Sequence, residues 1–231
     1  MHKRYFVICA SFLLITAPFF SQAQQNATKL WLSETSQIRV HKKWSIHFDA
    51  QYRTFEITPN TEQLIARGGI NYHLNSSSFA SVGYAYAANF ASDKEQYSAA
   101  QVTENRLWQQ FLIRKPIGKC TIENRFRLEQ RWIESKNKTQ YLNRIRCLLR
   151  VNVPLIKNKA KENLLSLSFS DEVFFHFFPI KFDRNRLSGI LLYQLNPQLI
   201  IQAGYMAQTT NTTTNHILQT GIAYNPDLRK K

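Results

Sequence analysis

The sequence predicts an all-β fold: a single antiparallel up-and-down transmembrane β-barrel of about twelve strands, with ten as the alternative. Three observations predict it. Apolar and polar residues alternate with period two through most of the chain, the alternating segments run for about ten residues or more, and their polar faces carry full charges. Strands of soluble sandwiches are commonly about five or six residues long, whereas a tilted strand crossing a bilayer needs about nine to eleven. Polar faces that carry full charges also suit a closed sheet with apolar side chains toward lipid and polar ones toward a lumen. Closure removes the exposed edges as well.

Taken in order, the chain opens with Lys3 and Arg4 before an apolar stretch from Tyr5 to Phe20, followed by Ser21-Gln22-Ala23. This is the pattern of a secretory signal peptide over residues 1–23, which leaves residues 24–231 as the barrel domain. Gln24 follows the cleavage point, so no cysteine is available there for a lipid anchor. Leu30 to Val40 is a weaker segment with Glu34 on its apolar face. From Trp44 the pattern is clear: Trp44, Ile46, Phe48, Ala50 and Tyr52 alternate with Ser45, His47, Asp49, Gln51 and Arg53. Leu64 to Leu74 repeats it, and further segments follow at Ala80 to Phe90, Glu104 to Arg114, Cys120 to Trp132 and Tyr141 to Val153. The last four are Leu164 to Val173, Arg184 to Leu195, Gln198 to Gln208 and His216 to Tyr224. That is eleven segments where single-chain bacterial barrels have an even number, so one segment is expected to be missed, or the first is not a barrel strand.

The connections alternate in length. His41-Lys42-Lys43, Asn75-Ser76-Ser77, Pro116-Ile117-Gly118-Lys119, residues 157–161 and Asn196-Pro197 are short. Residues 57–62, 91–100, 135–139, 176–181 and 209–215 are longer. Short periplasmic turns and longer outer loops are the outer-membrane pattern. Lys42, Lys43, Lys119, Lys157, Lys159 and the tail Arg229-Lys230-Lys231 then fall on one basic rim, and Trp44, Tyr72, Tyr84, Trp132, Tyr193 and Tyr205 fall where an aromatic girdle belongs.

The 231 residues carry 30 Lys and Arg against 15 Asp and Glu, a net charge of +15, with 44% hydrophobic residues. Such basicity has three causes to weigh: nucleic acid, an anionic membrane surface or a charged interior. Export argues against nucleic acid. A mean hydropathy of −0.35 and the absence of a late apolar run of about eighteen residues exclude a polytopic helical membrane protein. Cys120 and Cys147 fall on neighbouring segments but about seven positions out of register, about 20 Å apart, so two free thiols are expected.

The inward face carries the chemistry. Glu104, Arg106, Arg114, Glu123, Arg125, Arg127, Glu129, Arg131, Arg144, Arg146, Arg150, Glu172 and Arg186 alternate with apolar residues and are expected to form an ion-pair ladder inside the barrel. Opposite charges across strands are worth about 0.2–1 kcal/mol, and like charges cost as much. On that basis Glu104 is expected opposite Arg131, Arg106 opposite Glu129, and Trp108 opposite Arg127, instead of Glu104 opposite Glu129. Glu172 is expected to reach Arg184 or Arg186. With Arg53 and Arg67 included, lumen arginines outnumber the acids Asp49, Glu104, Glu123, Glu129 and Glu172, so a pore would prefer anions. Enzyme signatures are poor. His47 and His73 read as polar lumen residues, no cysteine or carboxylate set has metal-ligand spacing, and no cofactor is expected. Ser168, Ser170, Glu172 and His176 lie on one segment and the loop after it and are the candidates for a lipid-acting site.

Several stretches resemble an uncharacterised domain-of-unknown-function family of small outer-membrane β-barrels common in Bacteroidetes-type bacteria. They are Glu104 to Gln110, Arg125 to Arg131, Asp171 to Phe174, Asp183 to Leu187 and Ala203 to Met206. The resemblance implies a barrel in the outer membrane, reached by signal-peptide export, and transfers no activity or catalytic residue. The expected function is a structural protein or a small passive anion-preferring pore, the alternative being a lipid-modifying or hydrolytic barrel enzyme. The expected partners are outer-membrane lipid and lipopolysaccharide, not nucleic acid, with the protein a monomer.

Overall fold

Period-two alternation becomes eleven strands in the computed structural model, which describes residues 28–58, 60–91, 101–157 and 163–229. They are β1 (Lys29–Arg39), β2 (Trp44–Thr54), β3 (Thr61–His73), β4 (Ser78–Asn89), β5 (Val102–Ile117), β6 (Cys120–Ser135), β7 (Lys138–Lys157), β8 (Asn163–Phe177), β9 (Lys181–Asn196), β10 (Leu199–Thr209) and β11 (Thr214–Tyr224). Each strand pairs with the next in sequence, and β11 closes the barrel on β1. The expected signal peptide lies outside the described residues.

The closure explains the odd number. β1 and β11 run parallel, from Lys29 opposite Ile217 to Ser36 opposite Tyr224, while all other neighbours are antiparallel. An antiparallel ring needs an even count, and one parallel seam removes that requirement. All eleven alternating segments are therefore barrel strands. The first is included despite Glu34, which stands at the centre of β1 on the outer face.

Chain ends follow from the count. β1 begins at the rim where β2 and β4 end and β3 and β5 start, and there Lys29 pairs with Glu62 at 2.7 Å. The C-terminal tail leaves at the opposite rim, where the Arg39 N–H donates to Pro226 (2.9 Å) and the Leu228 N–H donates back to Arg39 (2.8 Å). At the first rim the β6–β7 and β8–β9 connections shrink to residues 136–137 and 178–180, because these strands continue beyond the predicted ends. The expected alternation of loop lengths is to that extent weaker.

Outside, large apolar side chains such as Phe48, Ile70, Val82, Phe126, Leu149, Phe169 and Leu191 are exposed. Inside, the apolar residues are few and the buried set is dominated by charged and amide groups. Sidedness is thus the reverse of a water-soluble protein's.

Candidate functional site: the arginine-lined lumen

The β5–β6 hairpin sets the ladder's register. Its turn is only Gly118-Lys119, with Gly118 at φ +60°, the left-handed conformation glycine adopts without strain. Strand pairing accordingly runs to Ile117 opposite Cys120, and the turn centre lies one residue later than expected. Pairing moves by two residues. Arg106 stands opposite Arg131, Trp108 opposite Glu129 and Gln110 opposite Arg127, which corrects the register expected from charge alone. The like-charged pair is tolerated because Glu104 binds both arginines: Arg106 Nε donates to it at 2.6 Å along the strand, and Arg131 reaches it diagonally. The turn sets the register, and long side chains recover the charge pairing along diagonals.

From there the ladder continues around the wall. Glu123 accepts from Arg114 (2.7 Å) and Arg150 (3.0 Å). Glu129 holds Arg144 and Arg146, the latter at 2.7 Å, and lies 3.9 Å from Arg127. Glu172 accepts from Arg146 at 2.9 Å and from Arg125 at 2.7 Å. Arg186 is opposite Glu172 in register, but its Nε donates to Gln208 at 2.8 Å, and Arg184 pairs with Asp183 at 3.1 Å. The expected reach of Glu172 to Arg184 or Arg186 is replaced by these contacts. Arg125 is two strands away from Glu172, so its contact passes over β7, beyond any hairpin rule.

Three aromatic side chains fill the middle of the lumen. Trp108, 1% exposed, lies on a floor made by Gly69 and Gly83, whose missing Cβ atoms would stand 2.6 Å and 2.2 Å from its ring. The Arg127 guanidinium covers it at 4.8 Å, and His47 meets it edge-on at 5.8 Å. Phe174, also 1% exposed, is flanked by Arg144, Arg146 and Arg186 at 5.4, 4.5 and 4.8 Å. Trp31 carries Arg53 at 3.8 Å and Arg186 at 5.0 Å. Guanidinium planes stack well on aromatic faces, so these contacts hold the arginine heads in place. Trp31 and Phe174 are not singled out in the sequence, although the parity of their strands places them inward; Asp183 has the outward parity of β9 and reaches Arg144 because the β8–β9 register shifts beside it.

Two cavities remain, of about 200 Å³ toward the loop rim and about 490 Å³ toward the turn rim. Trp31, Arg53, Arg67, Arg146 and Arg186 line both, and form the waist between them. The smaller cavity is lined by eight arginines and two glutamates, an imbalance that makes its walls electropositive.

The candidate catalytic residues do not converge. Ser168 and His176 are eight positions apart along β8, about 27 Å. The Glu172 carboxylate is engaged by Arg125 and Arg146, and His176 Nε2 lies 4.0 Å from Asp183. His73 Nε2 contacts Arg39 and Ser45 at 2.8 Å each, Cys120 and Cys147 are free thiols, and among the described residues no three His, Cys, Asp or Glu side chains gather as a metal site.

A family model described as "Protein of unknown function (DUF2490)" matches residues 28–219, from just before β1 into β11. The chain belongs to this family. No curated protein matches it. In this DUF2490 member, then, the family match spans nearly the whole barrel, and among the described residues the buried charge that the match encloses gathers in the lumen.

Proposed function

We propose that this DUF2490 chain is an exported outer-membrane β-barrel acting as a small passive pore that prefers anions, stiffened by its interior ion-pair ladder. The carrying observation is the pair of arginine-lined cavities meeting at a shared waist inside a barrel whose exterior is apolar. Fixed positive side chains in a narrow, low-dielectric passage attract anions and repel cations. The signal-peptide pattern at residues 1–23 supports export. The resemblance, not the geometry, supports a Bacteroidetes-type source. In this reading the partners are lipid and lipopolysaccharide, the protein works as a monomer, and no catalytic step is assigned.

Reversal potentials of the purified protein in planar bilayers under a potassium chloride gradient test the proposal. The expected result is a small conductance with chloride favoured over potassium. Cation selectivity, or a barrel that carries no current, would overturn it.

A further inference from the structure

Most lumen arginines have a carboxylate, but two at the waist do not. Arg53 donates through Nε (3.1 Å) to Gln51 and through Nη1 (2.8 Å) to Gln63, and Arg186 donates through Nε to Gln208 at 2.8 Å. These partners are neutral amides. Among the described residues no carboxylate lies within ion-pair distance of either guanidinium, and the terminal nitrogens of Arg186 have no protein partner. Both cations stack on one indole, Trp31, and both line the two cavities. Two like charges gathered on one ring inside the lumen, Arg53 buried and Arg186 half-buried, are costly unless a counter-charge joins them. The ladder shows what the fold does where acids are at hand: each of Glu104, Glu123, Glu129 and Glu172 binds at least two arginines. At the waist no acid of the described residues supplies the other half of that arrangement.

We propose that the waist is a binding site for a small oxyanion dianion of the phosphate class, bound by the Arg53 and Arg186 guanidiniums that stack on Trp31. Two uncompensated cations match two negative charges, and guanidinium donors match tetrahedral oxygens better than a spherical halide. The site opens to both cavities, so it is reachable from either rim. It deepens the pore reading, on which its physiological role rests, by naming the class of permeant solute that pauses in the lumen.

The test is calorimetric titration of the detergent-solubilised full chain with inorganic phosphate, with acetate in a parallel arm at matched ionic strength. Saturable one-to-one phosphate binding is expected, with acetate weaker. Arg53→Gln and Arg186→Gln should each weaken phosphate by about tenfold or more, the loss of one charge-assisted contact. Arg229→Gln, which removes one positive charge from the tail, should leave it unchanged. Arg53→Lys keeps the charge without the fork and should fall between; it also replaces Arg53→Gln if that variant loses the heat-shifted gel mobility of a folded barrel. Absence of saturable phosphate binding by the wild type, acetate binding as tight as phosphate, or equal losses in the waist and tail variants would overturn the site. Bilayer currents from the same preparations separate the two readings. Phosphate binding without conductance removes the pore and keeps the site, and anion-selective conductance without binding does the reverse.

Discussion

The two halves of the barrel wall solve the problem of a polar interior differently. Across β5 to β9 many inward positions carry long charged side chains, and every inward glutamate is shared between arginines of its own, adjacent or next-but-one strand. Across β10, β11 and β1 to β4 most inward side chains are short or neutral: Ser33, Thr35, Gln37, Ser45, Asn71, Gln202 and Gln219, with Gly69 and Gly83 between them. There the contacts are small networks, such as Ser45 Oγ with His73, Asn71 and Gln37 at 2.8, 3.0 and 3.2 Å. Charge at two-residue spacing makes one wall rigid and full. Short side chains on the other leave the space that the first wall's arginines and Trp108 reach into.

On that difference, the largest effect belongs to the ladder. Glu129→Gln removes the carboxylate shared by Arg144 and Arg146; Arg144 keeps only Asp183, Arg146 only Glu172, and Arg127 loses its one nearby acid, so the buried wall carries an excess positive charge, which should cost about 3–5 kcal/mol. Ser45→Ala removes one hydroxyl from the opposite network and should cost about 1 kcal/mol. Urea unfolding in detergent or lipid, followed by tryptophan fluorescence, measures both. Equal costs would erase the distinction between the walls.

The glycine floor comes next. Gly83→Ala puts a methyl group 2.2 Å from the Trp108 ring and 2.3 Å from the Gly68 carbonyl, so about 1–3 kcal/mol of overpacking is expected. Gly68→Ala, with nothing within 4 Å of its Cβ position, should be neutral or slightly stabilising. Combining Gly83→Ala with Trp108→Ala should be less damaging than the sum of the two, because the clash with the indole is removed while the backbone contact stays. Additive costs would show that Trp108 does not rest on that floor.

Much of the fold is legible in the sequence because a period-two pattern over ten or more residues has few other readings. Phe48 outward and Asp49 inward are fixed by parity alone. Closure is a different matter. The contact between Lys29 and Ile217 joins the two ends of the barrel, and nothing local in β1 or β11 marks the seam as parallel. The β5–β6 register was displaced for a local reason, since a two-residue turn at Gly118 outweighs one cross-strand charge pair that can be recovered diagonally. The candidate site divides in the same way. The inward arginines follow from alternation, and Arg53 is the cross-strand partner of Trp31 in the β1–β2 hairpin, whereas Arg186 reaches the same ring from β9, a spacing no hairpin arithmetic supplies.

Glu34 tests the seam itself. It faces outward from the centre of β1 between Ala50 and Ile222; Ser36 donates to Oε1, while Oε2 is buried without a partner. Acidic groups on a lipid-facing wall are destabilising, though less so than basic ones, so Glu34→Leu should stabilise the bilayer-inserted barrel by about 1 kcal/mol. The same measurement on the inward neighbour, Ser33→Leu, should show destabilisation, since Ser33 meets Gln202 and the Gly221 backbone. A loss of stability in both variants would mean that the outer face of the seam is not in contact with lipid.

The smallest effect is expected at the C-terminal tail, where an ion pair stands outside both walls. Asp227 and Arg229 are exposed, and the side-chain hydrogen bond from Arg229 holds the Asp227 carboxyl down at about 2. A depressed carboxylate favours the folded tail above the usual carboxylate range, near about pH 4, and that preference is lost as pH falls through about 2. An NMR titration of the Asp227 side chain should therefore show a midpoint near 2 in the wild type, moving to about 4 in Arg229→Gln. Asp227→Asn should leave the unfolding midpoint of the barrel unmoved, because exposed pairs contribute little and the Arg39 backbone bonds to Pro226 and Leu228 remain. Set beside Glu129→Gln, it isolates the variable that separates the ladder from an ordinary surface pair: burial, not the presence of opposite charges.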